Sequence, residues 1–407
     1  MNTSPAPDRR MLLLLPSAFL TSLGIGVINL GMLFVVKDEY RASPSAVGWF
    51  AALWAITYFL GCVALRPLHQ RIGARLSMAA MNLGTALLLL AHLFTRNLAS
   101  AFAVYGLYGF ITALFWPRLM GWLSSGLEGQ ALSKATSAFS FSWSSGGIVA
   151  PYLAGLLAEK GRFLPVYVSI GVFAATGLFI ALSSRLVATP PFAPTPLAPA
   201  AKGSGGQTGA EAEGGARAEA ATTADRSTPL RFPAWIGVFL LYALLSVFFN
   251  IFPLFAKDEL GLSESRIGLI LLIRAVSTTA GFWILGRVET WHFKKAYIVA
   301  PIAIALLIDL AFIGVRSPLL FGVLLAVAGF FHAMAYNNSI FYGVSGALDR
   351  DKRMTIHEAL LTAGQILGSL AGGMLYQRFS WGSIFLFLAF VFVAGMAGQL
   401  RYLRRRS

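Results

Sequence analysis

The side chains that could do chemistry in this sequence are ionisable and amide groups embedded in long apolar stretches. A charged group in such a setting costs about 2.5–3.5 kcal/mol unless it is paired or hydrated, so each one needs a reason. Arg274 and Asp309 lie at similar depths, about 10–14 Å from the same end of two successive stretches. We expect an Arg274–Asp309 ion pair, which would serve either a binding site or a structural clamp between helices.

Arg118 and Glu358 form a second pair, close to the opposite end of their stretches. We predict that these two residues approach each other when a central cavity opens toward the other side. Glu358 would then be the carboxylate that takes up and releases a proton. The alternative is that Glu358 lies near a helix N-terminus, where the helix dipole stabilises a negative charge by about 0.3–1 kcal/mol.

Amide, hydroxyl and aromatic side chains within the apolar stretches could line such a cavity. They are Asn29, Ser140, Trp143, Tyr242, Asn250, His332, Tyr336, Asn337, Asn338 and Gln365. These groups suit a polyol, a sugar or an amphipathic neutral solute better than a highly charged one. Membrane helices also use Ser, Asn and Tyr to bond to one another, so helix packing is the competing interpretation.

The elements that must position these residues are twelve apolar stretches, each long enough to cross a bilayer. They cover roughly residues 11–36, 46–65, 76–95, 98–123, 135–158, 163–184, 234–256, 266–285, 296–315, 318–343, 355–376 and 381–400. The 407 residues are 57% apolar and only 12% charged, which excludes an ordinary soluble domain. Because lipid requires every backbone polar group to be paired within the protein, we predict an all-α membrane protein with twelve transmembrane helices.

The charge distribution predicts the orientation of the chain. Of the 32 Lys and Arg residues, 21 fall on the side of the two termini and 9 on the opposite side. An excess of basic residues marks the cytoplasmic side, so both termini are expected there. The same asymmetry explains the net charge of +15 without a nucleic-acid partner. We expect an integral protein of a bacterial inner (plasma) membrane.

The chain divides into two related halves. Residues 186–232 are rich in Pro, Ala, Gly and Thr and are predicted to be a disordered cytoplasmic linker between six-helix bundles at 1–185 and 233–407. At an offset of 220 residues, Lys37-Asp38-Glu39 matches Lys257-Asp258-Glu259. A duplicated six-helix unit is typical of alternating-access transporters, whose site lies at mid-membrane between the repeats.

The loop between the second and third stretches carries a recognisable motif. It reads Arg66-Pro67-Leu68-His69-Gln70-Arg71-Ile72-Gly73-Ala74-Arg75. Leu68, Arg71, Gly73 and Arg75 match the pattern Gly-x-Leu-x-Asp-Arg-x-Gly-Arg-Arg. With its six-plus-six stretches and long central loop, the chain resembles the major facilitator superfamily over nearly its whole length. The resemblance implies that Leu68, Gln70, Arg71, Gly73 and Arg75 form a cytoplasmic gate motif, with neutral Gln70 replacing the usual acid.

The resemblance also implies a secondary transporter of a small organic solute, in which two pseudo-symmetric bundles rock about a central site. The energy would come from an ion or proton gradient or from the solute's own gradient. The segment 147–155 resembles a glycine-rich antiporter motif with two glycines replaced by alanine, which favours efflux over uptake. The same small residues would also suit a face for close helix packing.

Other classes of function find less support in the sequence. It contains none of the common catalytic motifs and no Cys/His spacing typical of a metal site, so we expect neither an enzyme nor a bound cofactor or metal. The expected partners are a small-molecule solute, protons and the lipid bilayer, and the protein is expected to be a monomer. The alternative is a membrane receptor or interaction protein that keeps a transporter fold without transporting.

Overall fold

A computed structural model describes residues 10–65, 68, 71–124, 129–185, 227–345, 347 and 350–405. Within these residues the chain forms fourteen α-helices and no β-strand, which confirms the all-α prediction. The helices are α1 (Met11–Phe34), α2 (Pro44–Ala64), α3 (Ala74–Thr95), α4 (Leu98–Thr112), α5 (Trp116–Ser124), α6 (Gly129–Lys160), α7 (Leu164–Leu182), α8 (Arg231–Asn250), α9 (Phe252–Asp258), α10 (Glu264–Leu285), α11 (Ala296–Ala311), α12 (Pro318–Val344), α13 (Arg350–Arg378) and α14 (Trp381–Arg404).

Ten helical segments in this part of the chain are long and apolar enough to cross a membrane. The other two predicted spans correspond to α6 and α11. α11 is apolar but has only 16 residues, whereas α6 has 32 residues and carries several serines near its middle. The predicted arrangement of spans is therefore present, with one short and one more polar member.

Two spans predicted as continuous are broken. The fourth consists of α4 and α5, separated by residues 113–115, and the seventh consists of α8 and α9, separated by Ile251. Pro117 and Pro253 lie in the first turns of α5 and α9. A proline has no N–H and is tolerated in the first turn of a helix but not in its interior, so each break falls just before a proline.

The helices of the two halves pair in the same order. In the first half α1 packs on α6 and α7, α2 on α4, and α3 on α7. In the second half α8 packs on α13 and α14, α10 on α12, and α11 on α14. This repeated pairing is the three-dimensional counterpart of the 220-residue repeat. Most of the predicted linker, residues 186–226, lies outside the described residues.

The halves meet along two helix pairs, α2 with α13 and α6 with α10. Gly48 of α2 lies against Gly373 of α13, and Gly155 of α6 lies against the backbone of Glu264 at the start of α10. A side-chain carbon on Gly48 or Gly155 would overlap the facing main chain. Both contacts lie toward the end of the bundle opposite the chain termini, which we call the distal end. The halves are therefore in close contact there.

Candidate functional site

A cavity of about 340 Å³ lies between the two halves. Its walls come from α1, α2, α4 and α6 on one side and from α8, α10, α12 and α13 on the other. Seven of the predicted cavity residues line it, namely Asn29, Trp143, Tyr242, Asn250, His332, Tyr336 and Gln365. The volume is in the range of about 300–1,000 Å³ that small-molecule sites occupy.

Three predicted cavity residues do not line the cavity. Asn338 is buried, and its amide donates to the Tyr297 carbonyl at 2.7 Å, which ties α12 to α11. Asn337 and Ser140 are half-buried outside the cavity wall. Successive helical residues point about 100° apart, so Asn337 is turned away from the wall that Tyr336 forms. These three positions are corrections to the predicted set.

Asn29 is the hydrogen-bonding centre of the N-terminal wall. Its Oδ1 accepts from the hydroxyls of Tyr105 and Tyr108 at 3.1 and 3.3 Å. Tyr105 and Trp54 both line the cavity, although sequence reasoning missed them. Aromatic side chains on a membrane helix also suit a lipid-facing surface, which is why they gave no clear signal.

Arg274 is the charged group of the C-terminal wall. It lies halfway along the 22 residues of α10, lines the cavity and is only 7% exposed. Its guanidinium carbon lies 4.5 Å from the centre of the Phe249 ring, and its Nη1 donates a long hydrogen bond of 3.4 Å to Thr278 Oγ1. Tyr242 and His332 complete this wall, with ring centres 4.8 Å apart.

The predicted ion pair between Arg274 and Asp309 is not formed. Asp309 is fully buried, and neither of its carboxylate oxygens has a hydrogen-bond partner among the residues that the structure describes. α11 ends at Ala311, so Asp309 lies in the last turn of a short helix, whereas Arg274 lies at mid-span. In addition, the main neighbours of α11 are α8, α12 and α14, and not α10.

Glu358 lies at the interface between the halves. It is half-buried, about 12 Å from the start of α13. Its carboxylate is within electrostatic range of Tyr58 and Cys62 of α2 in the other half, and of Tyr336 in its own half. Arg118 is half-buried near the start of α5. The approach of Arg118 to Glu358 in another conformation, and a proton-coupling role for Glu358, stay predictions.

The described part of the predicted gate motif makes contacts inside the N-terminal half. Arg75 is 9% exposed, donates to Ser183 Oγ at 2.5 Å, and has its guanidinium carbon 5.4 Å from the centre of the Trp122 ring. Gly73 is the residue that precedes α3, while Leu68 and Arg71 are exposed. Gln70 lies outside the described residues. These contacts join the start of α3 to α5 and to the end of α7.

The repeated Lys-Asp pairs meet at the distal end. Lys37 Nζ lies 2.5 Å from Asp258 Oδ1, and Lys257 Nζ lies 2.7 Å from Asp38 Oδ2. The lysine of each half therefore forms an ion pair with the aspartate of the other half. The two ion pairs are related by the pseudo-twofold axis of the sequence repeat, and we call them the reciprocal exchange.

Arg162 and Glu264 extend this exchange into a network. Arg162 Nη1 lies 2.5 Å from Asp38 Oδ2 and 3.2 Å from Glu264 Oε1. Lys257 Nζ also contacts Glu264 Oε1, at 2.5 Å. We call this network the distal seam, formed by Lys37, Asp38, Arg162, Lys257, Asp258 and Glu264.

Two backbone hydrogen bonds flank the distal seam, and they too are related by the repeat. The Ser45 N–H donates to Gln377 Oε1 at 3.0 Å, and the Ser265 N–H donates to Glu159 Oε1 at 2.9 Å. Ser45 and Ser265 are separated by the same 220 residues as the Lys-Asp pairs. Charge pairs and backbone hydrogen bonds between the halves thus hold the distal end together.

The family of the chain follows from its sequence as well as from this architecture. The family model for the Major Facilitator Superfamily matches residues 14–347 and 234–407. The chain belongs to the Major Facilitator Superfamily. As a member, it is an integral membrane transporter, and the family points to transport and not to an enzymatic reaction.

Individual relatives are more distant. A Deinococcus radiodurans protein named as a candidate sugar efflux transporter is 30% identical over 175 residues, which cover 40% of this chain and 43% of the relative. The match therefore spans less than half the length of that relative.

Solved structures match the fold along nearly the whole chain. The nucleoside transporter NupG has a TM-score of 0.68 at 16% identity, with 96% of this chain and 98% of NupG covered. A mutant of the peptide transporter POT in complex with sulfate has a TM-score of 0.72 at 12% identity, with 98% and 95% covered. A bacterial homologue of the human lysosomal transporter Spinster, in an inward-facing and unoccupied conformation, has a TM-score of 0.67 at 13% identity, with 98% and 95% covered.

Proposed function

We propose that this protein moves a small organic solute across the membrane by alternating access, with the central cavity as its binding site and the distal seam as one of its gates. The observation that carries the proposal is a cavity with walls from both halves, next to a boundary held by ion pairs. In this mechanism the bundles 1–185 and 233–407 move as two bodies joined by the linker 186–232.

The chemistry of the distal seam suits a gate. Its ion pairs are partly exposed, with side-chain exposures from 12% to 45%. Ion pairs that water reaches are weaker than fully buried ones, because water competes for both charges. A gate of this kind opens at a cost that the binding energy of a small solute can offset.

The proposal includes a direction and a topology. The excess of basic residues on the side of the termini supports an orientation with that side facing the cytoplasm and the distal seam facing outward, in a bacterial inner membrane. The conformation described here is then closed to the outside. The antiporter-like segment 147–155 and the name of the Deinococcus radiodurans relative both favour efflux. Glu358 is the proposed site of proton coupling.

Transport is tested in proteoliposomes that contain the purified protein. Counterflow of labelled sugars, nucleosides and other small polar solutes is measured at two external pH values. We expect saturable uptake of at least one class, with a rate that depends on pH in the native protein and not in Glu358→Gln. If no solute in the panel moves, the transport proposal fails.

Alternating access is tested by the distance across the distal end. In a Cys62→Ser background, spin labels on Lys160→Cys and Arg378→Cys report the separation of the halves, and Arg96→Cys with Lys160→Cys serves as a control within one half. We expect two distance populations for the first pair and one for the control. A solute-dependent distance change without flux would favour the non-transporting receptor.

A further inference from the structure

Arg274 is a buried donor that the protein leaves incompletely paired. Its Nε is inaccessible and has no hydrogen-bond partner, and its Nη1 makes only the long contact with Thr278. The hydroxyl of Thr278 also donates a hydrogen bond to the Arg274 carbonyl, so this one hydroxyl makes both contacts. The face of Phe249 offers the guanidinium a weak attraction and no acceptor.

No carboxylate within the described residues forms an ion pair with Arg274. The ion pairs that the structure describes lie in the distal seam, and Asp309 is remote from α10 for the reasons given above. A guanidinium does not lose its proton in proteins, so Arg274 cannot escape the cost of burial by becoming neutral. Among the described residues, the positive charge in the cavity wall therefore has no carboxylate in contact with it.

His332 supplies a second incompletely paired nitrogen on the same wall. It is 6% exposed, lines the cavity, and has a buried Nδ1 without a partner. Arg274 and His332 also border a smaller cavity of about 10 Å³, whose other walls are apolar side chains such as Leu244, Phe248 and Leu325. Apolar surroundings strengthen the attraction between a cation and an anion because they exclude water.

We infer that the solute carries one anionic group, a carboxylate or a phosphate, and that this group binds to Arg274 with His332 beside it. The inference rests on the proposed function and names the chemical class of its substrate. The opposite wall, with Asn29, Tyr105 and Trp143, offers hydrogen bonds and aromatic faces to the uncharged remainder of the molecule. An organic acid with a hydroxylated or aromatic body fits both walls, whereas the sequence alone favoured a neutral solute.

The test uses pairs of probes that differ only in charge. D-glucuronate is compared with D-glucuronamide, and benzoate with benzamide, by calorimetric titration of the purified full-length protein. Glucose 6-phosphate is compared with glucose to show whether the site takes a phosphate as well as a carboxylate. Sodium chloride alone is titrated as a further probe. We expect the acid of at least one pair to bind about 10- to 100-fold more tightly than its neutral partner, the range for a charge-assisted hydrogen bond.

Variants assign the effect to Arg274. Arg274→Gln should remove the preference for the acid while keeping the binding of the neutral partner, and Arg274→Lys should keep part of the preference because it retains the charge. Arg401→Gln, which removes an exposed guanidinium at the end of α14, should leave binding unchanged. Retained binding of the neutral probe shows that Arg274→Gln is folded.

The inference is overturned if no acid binds, if the neutral partners bind as tightly as the acids, or if Arg274→Gln leaves the preference intact. It is also overturned if chloride alone binds through Arg274 as tightly as any organic acid, because the site would then be one for an inorganic ion. Flux of a neutral solute despite these results would leave the transport proposal standing. Conversely, Arg274-dependent acid binding without any flux would overturn transport and keep the anion site.

Discussion

The distal seam and the cavity differ in how they use the internal repeat. At the distal seam, Lys37-Asp38 and Lys257-Asp258 perform the same task in both halves, and each lysine pairs with the aspartate of the other half. In the cavity, the repeat relates Trp54 to Arg274, and both residues line the wall. One half therefore presents an indole where the other presents a guanidinium.

The neighbours of these two cavity residues show that the correspondence is structural. Ala51 and Ala55 line the cavity, and so do their counterparts Leu271 and Ala275. The same helix face therefore lines the cavity in both halves, although the side chains at two of these three positions differ. Symmetry is thus retained at the boundary that both halves must close together, and it is lost where a solute without twofold symmetry would be held.

The largest expected effect comes from removing the positive charge of Arg274, which only one half carries at this position of the cavity wall. Arg274→Leu should raise the free energy of unfolding by about 1–3 kcal/mol, because an incompletely paired cation in mid-membrane is replaced by an apolar side chain. The measurement is the midpoint of thermal unfolding in detergent, with Arg401→Leu as the exposed control. A loss of stability in Arg274→Leu would mean that the protein itself compensates the charge.

The next effect concerns the close contact between the halves. Gly155→Val places side-chain carbons where the Glu264 carbonyl lies, and overpacking of this kind costs about 1–3 kcal/mol. We expect the labelled positions 160 and 378 to shift toward the longer distance. Gly171→Val is the matched control, since an added carbon there meets nothing within 4 Å. Equal distances in both variants would show that the distal contact does not set the conformation.

Charge reversal tests the reciprocal exchange. Lys37→Asp alone brings like charges together and should favour the open distal end by about 1–2 kcal/mol, whereas Lys37→Asp with Asp258→Lys should recover at least half of that difference. The distance distribution between positions 160 and 378 reports both variants. If the two substitutions are simply additive, the exchange does not couple the halves.

The smallest effect is that of salt. Raising the ionic strength from about 0.1 to 1 M shortens the Debye length from about 10 to 3 Å, so the partly exposed pairs of the distal seam should weaken by a few tenths of a kcal/mol each. The fraction of molecules with the longer distance should rise accordingly. In Lys37→Asp the response should be smaller, because one pair is already absent.

The helices and their duplication could be predicted from the sequence, because bilayer thickness sets the length of an apolar helix and the Lys-Asp-Glu repeat lies outside the apolar stretches. The ion pairs between the two repeats could not be predicted from the sequence. Periodicity shows that Lys37 and Lys257 are equivalent, but it does not show that each faces the aspartate of the other half.

The cavity was predictable only in part. Polar residues such as Asn29 and Gln365 gave a signal because burying them in lipid is costly, whereas Trp54 and Tyr105 gave none because aromatic residues also face lipid. The Arg274–Asp309 pair was wrong because depth along a helix does not determine which helices are neighbours. The end of α11 at Ala311 could not be predicted from the sequence either, since the apolar residues continue beyond it.

The reciprocal exchange has an electrical consequence. Each half contributes one lysine and one aspartate to it, so when the halves part, neither takes away a net charge from its Lys-Asp dipeptide. A membrane potential does about 2.3 kcal/mol of work on each elementary charge per 100 mV, but only on a charge that is displaced without its opposite. The two Lys-Asp dipeptides therefore add no voltage dependence of their own, and the charges of the distal seam on which a potential can act are Arg162 in one half and Glu264 in the other.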